Sequence, residues 1–268
     1  MAKKIEARVL ITGASSGIGF ALAEKFAKEG YNLILISRRE DLLSEISEKL
    51  RKIYGVQIKI IAKDLIEEKA SEEIFNELDK LSIKVDILIN NAGIGYCGFF
   101  HEIDIDKEMN IIKLNIIALT KLTKYAVEHM IKNRKGKILN VASTGAYQPG
   151  PLISVYYASK AYVLSFSEAI RNELKPYNIT VTTLCPGTTK TEFSQNAGKG
   201  DLKNAMEAKK VAEIAYKDLI KGKRISVPGV LNKLLVFLSK ITPRVLLCFL
   251  VRKIQSKAIE IHGQYKSK

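Results

Sequence analysis

Short, nearly continuous apolar runs alternate with longer amphipathic stretches along most of the 268 residues. Residues 8–12, 32–37, 57–63, 87–90 and 136–142 are rich in Val, Ile and Leu and predict strands, whereas the segments between them carry helical patterns. A strand with no alternating polar side must be buried on both faces, which a parallel sheet covered by helices above and below requires. Residues 180–185 and 224–227 add a sixth and a seventh strand. The expected fold is therefore α/β: a Rossmann-type, doubly wound parallel sheet of about seven strands. No repeat, low-complexity tract or Pro-rich linker divides it, so residues 1–229 are expected to form a single domain.

The tail has a different pattern. Residues 230–241 and 243–262 are two apolar, basic segments, with Thr242 and Pro243 placed as N-cap and first residue of the second helix. They predict a helical hairpin, so residues 230–268 are read as a C-terminal helical extension of the same domain. The longest uncharged run there, 245–251, is far short of the ~20 apolar residues that cross a bilayer, and no transmembrane anchor is expected. Apolar faces flanked by lysines suit either a subunit contact, in a homodimer or homotetramer, or peripheral contact with a membrane surface. Subunit packing is the first expectation.

Composition narrows the class. Hydrophobic residues at 47% and only 6 prolines provide for a sizeable core and argue against disorder. The three cysteines, Cys97, Cys185 and Cys248, have neither paired nor metal-ligand spacing. Isolated thiols in a reducing compartment are expected, with no disulfide and no metal. Residues 1–7 lack the apolar core of a secretory signal, and a cytoplasmic location is expected. The net charge of +15 is uneven: residues 199–268 hold 16 Lys/Arg against 5 Asp/Glu. A solvated lysine-rich surface accounts for that excess, as would an acidic partner, a coenzyme phosphate or an anionic membrane. No nucleic-acid motif accompanies it, so no nucleic-acid partner is expected.

The first strand runs into Thr12-Gly13-Ala14-Ser15-Ser16-Gly17-Ile18-Gly19, and a helical segment follows. Strand, glycine turn and helix in this order suit a pyrophosphate. Gly13 and Gly17 permit a tight backbone, Gly19 permits close packing of helix on strand, and the helix N-terminus offers free N–H groups. A glycine turn that binds nothing is the alternative. The second strand ends at Ser37-Arg38-Arg39, where an NAD-selective site would place an acid for the ribose 2′-hydroxyl. Arg38, helped by Arg39 and Ser15, suits the 2′-phosphate of NADP(H) instead, with a surface ion pair as the plainer role for Arg38. Glu40 and Asp41 read as favourable first-turn acids of the next helix.

Tyr156 and Lys160 stand four apart in the helical segment 154–174 and share a face. An ammonium beside a phenol stabilises the phenolate and lowers a pKa of ~10, letting the tyrosine move a proton to or from an alcohol oxygen. Tyr157, three residues from Lys160, is a competitor on spacing alone. Ser143 follows the strand 136–142 and is expected at its carboxyl end, where open α/β sheets bind ligands, with its hydroxyl available to a substrate oxygen.

Taken together, Thr12-Gly13-x3-Gly17-x-Gly19, Asn90-Asn91-Ala92-Gly93, Asn115, Ser143, Tyr156-x3-Lys160 and Pro186-Gly187 resemble the ordered motif set of the classical short-chain dehydrogenase/reductase family over roughly residues 7–193. The arginine pair, the segment 188–193 and the apolar basic tail are similar to a ketoacyl-reductase-like branch. The resemblance implies an NADP(H)-dependent oxidoreductase in which Tyr156 rather than Tyr157 is the acid/base. Lys160 would tune it and bind the nicotinamide ribose, Ser143 would hold the carbonyl oxygen, and Asn115 would support a water-mediated proton relay. The resemblance also assigns Ser15, Ser16 and Ile18 to the phosphate turn, Asp64 and Leu65 to the adenine, and Asn91 to the adenosine side. Pro186, Thr189 and Thr191 would lie by the nicotinamide and phosphates. Asn90 is expected to tie the sheet together.

The substrate is expected to be a small hydrophobic carbonyl compound, with an acyl thioester among the candidates, bound by residues 94–100, the loop 144–155 and a lid from residue 188 to about 204. Core packing of Phe99 and Phe100 is the alternative to a pocket role. Two other functions stay open: NADP-dependent alcohol oxidation, and a non-catalytic nucleotide-binding sensor. The sequence does not name the substrate, because pocket shape decides it.

Overall fold

A computed structural model describes residues 5–193 and 205–260, with side chains to residue 256. The first half comprises β1 (Ile5–Thr12), α1 (Gly17–Lys28), β2 (Tyr31–Ser37), α2 (Glu40–Tyr54), β3 (Ile58–Ala62), α3 (Ala70–Lys80) and β4 (Ile87–Asn90). Then α4 (Ile105–Ile112) passes through a π-helical segment, Lys113–Ala118, into α5 (Leu119–Asn133). They are followed by β5 (Gly136–Val141), α6 (Ser154–Leu174), β6 (Ile179–Leu184), β7 (Thr189–Lys190), β8 (Met206–Glu207), α7 (Ala208–Ile220) and β9 (Ile225–Ser226). The tail forms α8 (Val230–Ile241) and α9 (Arg244–Glu260).

All seven expected strands form, and they make one parallel sheet in the order β3-β2-β1-β4-β5-β6-β9. Their continuous apolar character has the expected cause. Val9, Ile11, Leu33 and Leu35 face one side and pack on Leu22 and Phe26 of α1 and on Val211, Ala215 and Leu219 of α7. Leu10, Ile34, Ile36 and Leu88 face the other and pack on Phe75 and Leu78 of α3 and on Leu122 and Met130 of α5. Each such buried side chain contributes roughly 1.5–3 kcal/mol. Glu40 and Asp41 do lie in the first turn of α2.

Three boundaries differ from expectation. β1 starts at Ile5 because the backbone N–H of Ile5 already donates to Gly30 O at 2.9 Å, before a register break between Ile5 and Arg8. β7 and β8, absent from the periodicity, pair as a two-residue parallel ladder that joins the two described ends of the segment containing the expected lid. Residues 194–204 of that lid lie outside the described residues. Thr242 is not the N-cap of α9. Its hydroxyl donates back to Leu238 O at 2.8 Å and closes α8, while Leu247 N donates to Pro243 O at 3.0 Å, so the second helix is capped one residue later. A threonine directly after a helix has the orphan carbonyl four residues back within reach, and that local bond wins.

Candidate active site

β1 has β2 on one side and β4 on the other, so the chain winds away from it in both directions and leaves a crevice at the carboxyl ends of these strands. The glycine turn sits there. Gly13 and Gly17 have φ of 64° and 55°, in the left-handed region that favours glycine. A Cβ at Gly19 would lie 2.1 Å from Gly13 O, so helix α1 could not approach the turn with any side chain at that position. The N-cap of α1, Ser16, makes no side-chain cap bond, and no acid lies in the helix's first turn. Its leading N–H groups and positive dipole end are thus suited to an anion.

The turn is held from β4. Thr12 Oγ1 accepts from the backbone N–H of Asn91 and of Ala92, each at 3.0 Å, and the Asn91 side-chain amide donates to Thr12 O at 3.0 Å and to Gly13 O at 3.2 Å. Asn91 thus braces the turn directly. Arg39 Nη2 donates to Ser15 Oγ at 3.0 Å and Arg39 Nη1 pairs with Glu192 at 3.0 Å, whereas Arg38 Nη1 lies 3.8 Å from Asp64. Arg39, given a supporting part by sequence, is the arginine that touches the turn here. Asp64 also accepts from the N–H of Ile66 at 3.0 Å, while the Leu65 side chain is buried in the core, leaving its backbone for the crevice.

Ser143 stands two residues past the end of β5, Tyr156 and Lys160 on the first turns of α6. The Ser143 hydroxyl lies beside that of Tyr156, near enough to favour its ionised form, and Ser143 Oγ accepts from Gly145 N at 3.0 Å. Lys160 Nζ lies 5.6 Å from the centre of the Tyr156 ring and donates to Val141 O at 2.8 Å. Tyr157 is committed elsewhere: Gln255 Nε2 donates to its hydroxyl at 3.1 Å. The competitor on spacing is therefore out of Ser143's set.

Electrostatics departs from expectation. Burial raises the Tyr156 hydroxyl well above the ordinary phenol range, with the Ser143 hydroxyl pulling the other way, and burial lowers Lys160 to about 8. A neighbouring ammonium was expected to lower the tyrosine, but desolvation dominates both groups. Asn115 lies in the π-helical segment, a type of insertion frequent at functional sites. Its side chain is bound to Ile94 N at 3.0 Å, Ile94 O at 2.9 Å and Ser159 Oγ at 3.0 Å, pinning the loop after β4.

The segment 189–193 arches over the crevice. Pro186 O accepts from Thr144 N at 3.0 Å, and Thr189 Oγ1 donates to Gly187 O at 3.0 Å. A Cβ at Gly17 would meet Thr191 Cγ2 at 2.9 Å, and the Phe193 ring is 5.3 Å from that of Tyr156. One short stretch thus spans from phosphate turn to tyrosine. Phe100 is 65% exposed and Phe99 half-buried beneath Arg252 of α9, at 5.7 Å, so neither is core.

Three sets of residues escaped the sequence reading. Asn140 accepts from Asn90 Nδ2 and donates to Ser167 Oγ, both at 2.9 Å, while Asn90 also reaches Thr123, making a buried chain that ties the sheet to α5 and α6. Asn90's structural role was foreseen, but its partners were not. Phe193 and the pair Arg252–Gln255 carry no local signal, because their meaning lies in distant contacts.

Residues 7–202 match the short chain dehydrogenase family, and the chain belongs to it. It is accordingly an oxidoreductase acting on CH–OH/C=O groups with a nicotinamide cofactor. Dehydrogenase/reductase SDR family member 7B of Xenopus tropicalis is 33% identical over 264 residues, covering 92% of this chain and 85% of that protein. The very-long-chain 3-oxoacyl-CoA reductase of Anas platyrhynchos is 34% identical over 192 residues, 69% of this chain, and the match spans only 61% of that protein's length. A short-chain dehydrogenase from Sphingobium yanoikuyae, solved in complex with NADPH, superposes with a TM-score of 0.80 at 32% identity, over 84% of this chain and 88% of that one.

Proposed function

We propose that this protein reduces a ketone or 3-oxoacyl-type carbonyl to an alcohol using NADPH. The observation that carries the reading is the Ser143–Tyr156 hydroxyl pair, backed by Lys160, at the strand ends that also hold the glycine turn. The crevice fits a dinucleotide: Gly13, Gly17 and Gly19 clear its floor, and the open N-terminus of α1, at Ser15, Ser16 and Ile18, accepts a pyrophosphate. The absence of an acid at the end of β2, with Arg38 and Arg39 in its place, supports a 2′-phosphate. Asp64, the Leu65 backbone and Asn91 would hold the adenosine side, and Lys160, Pro186, Thr189 and Thr191 the nicotinamide side. The NADPH-bound relative supports the same preference.

NADPH supplies the hydride when bound; the chain supplies position and a proton. Ser143 donates a hydrogen bond to the carbonyl oxygen. Tyr156, kept protonated by burial, is poised to give its proton to that oxygen, which favours the reductive direction. The Lys160 ammonium beneath the ring then stabilises the resulting phenolate. Asn115 holds the loop that borders the site, and its segment would carry the replacement proton through water. The exposed Phe100 and the 3-oxoacyl-CoA reductase relative support an apolar or acyl substrate.

Titrating the full chain with NADPH and NADH, beside Arg38→Ala and Arg39→Ala, tests the cofactor. NADPH is expected to bind at least roughly tenfold tighter, with the margin lost in the arginine variants. NADPH oxidation is then followed with ketones and acetoacetyl thioesters. Equal binding of NADH would overturn the cofactor assignment, and intact NADPH binding without turnover on any carbonyl would overturn the reductase reading.

A further inference from the structure

The hairpin α8–α9 has one face built into the protein and one that nothing in the described chain covers. Inward, Leu247, Val251 and Gln255 recur every four residues along α9 and are 4–7% exposed. Outward, large apolar side chains stand in solvent, among them Val230, Leu234, Phe237, Val245, Phe249 and Ile254, each more than half exposed. On α8 only Val236 and Ser239 are buried. So much contiguous apolar surface marks an interaction site.

Charge decides between occupants. From residue 230 to residue 259 the sequence has no Asp or Glu and six Lys/Arg. Lys233, Lys240, Arg244, Arg252 and Lys253 are exposed around the apolar side chains. Lys240 and Arg252 also rest over the rings of Tyr147 and Phe99. A second copy using the same face would set five exposed cations against five, with no acid on either hairpin before Glu260, at its far end, to pair them. An anionic bilayer offers acyl chains to the apolar residues and phosphates to the cations. No helix among the described residues is long and apolar enough to cross a membrane, so the hairpin would lie along the surface.

We infer that α8 and α9 form a docking surface for an anionic membrane, with the outward apolar side chains entering the boundary between headgroups and acyl chains and the basic residues contacting lipid phosphates. Gln255 on Tyr157 and Arg252 on Phe99 place the inner face of α9 against the loops beside Tyr156. A docked bilayer therefore lies behind a wall of the candidate substrate site.

Co-sedimentation of the full chain with vesicles tests this without reference to the reaction. One set is phosphatidylcholine alone and the other contains about one third phosphatidylglycerol. Each basic residue brought to an anionic surface is worth roughly fivefold in partition, so binding to the second set is expected to be at least roughly tenfold stronger and to weaken in high salt. Leu234→Asp, Phe237→Asp and Phe249→Asp together should abolish it while leaving NADPH binding and thermal melting unchanged. Lys233→Glu, Arg244→Glu and Lys253→Glu, all at exposed positions, should remove the preference for the anionic set and carry the test should the first variant misfold. Absence of binding to either vesicle set, or binding undiminished in both variants, would overturn the inference. So would a drop in sedimentation mass in lipid-free solution caused by the tail substitutions, which would show that a second copy covers the face.

Discussion

Leu10 in β1 and Leu234 in α8 carry the same side chain; the first is 0% exposed and the second 52%. Around Leu10 every neighbour is supplied by the chain itself: strands on both sides, α3 and α5 above, and a glycine turn tied down by Thr12 and Asn91. Around Leu234 the described residues cover only about half of the side chain. The comparison teaches that hydrophobicity states only that a side chain should leave water. Whether it does so within the fold or against a partner depends on what the rest of the chain brings to it.

Substitutions should separate these regions sharply. The largest effect belongs to the site the sheet supports: Tyr156→Phe should lower kcat for carbonyl reduction by about a thousandfold while NADPH titration remains close to wild type. A retained rate would show that the supported end of the sheet is not where the chemistry lies. Next, Gly19→Ala forces a Cβ to within 2.1 Å of Gly13 O, so urea unfolding should report a loss of about 3 kcal/mol together with weakened NADPH binding.

A third test uses pH. Burial lowers Lys160 to about 8, so its ammonium is present below that pH and lost above it. The kcat/KM for reduction is expected to fall as pH rises through about 8, by about tenfold per unit at the limit, and a profile flat to pH 10 would contradict the part given to that charge. For stability the sign is opposite. The folded state releases the Lys160 proton more readily than the unfolded chain, so this group's contribution grows as pH rises from about 8 toward 10.5. Wild type should gain on Lys160→Met across that window in chemical denaturation.

The two smallest effects probe where the regions meet and where they part. Gln255→Leu removes the bond to Tyr157, at a cost of about 1 kcal/mol, and should raise the KM for the carbonyl substrate by roughly fivefold with NADPH binding unaltered. A change in NADPH affinity instead would place α9's influence on the cofactor side. Leu234→Ser should change the melting free energy of the lipid-free protein by less than about 0.5 kcal/mol. A cost like that of a core leucine would mean that the outer face of α8 is already covered in solution.

What could be read from the sequence by itself was whatever is written in neighbouring positions. Seven apolar runs marked the seven strands of the main sheet, because a strand buried on both faces needs no polar alternation, whereas the two-residue ladder of β7 and β8 is too short to leave a pattern. The glycines of 13–19 marked the turn because a left-handed φ and a close backbone approach each exclude side chains locally. The pairing of Tyr156 with Lys160 followed from the pitch of one helix. Tertiary structure alone decided the rest: that Arg39 rather than Arg38 meets Ser15, that Tyr157 turns to a glutamine 98 residues away, and that Asn140 joins Asn90 across 50 residues. It also reversed the expected direction of the Tyr156 shift, since desolvation is set by every segment packed around a group and not by the one helix that carries it. Local sequence dictates backbone geometry through sterics and period, whereas the partner of a long side chain and the water it loses depend on elements that only the folded chain brings together.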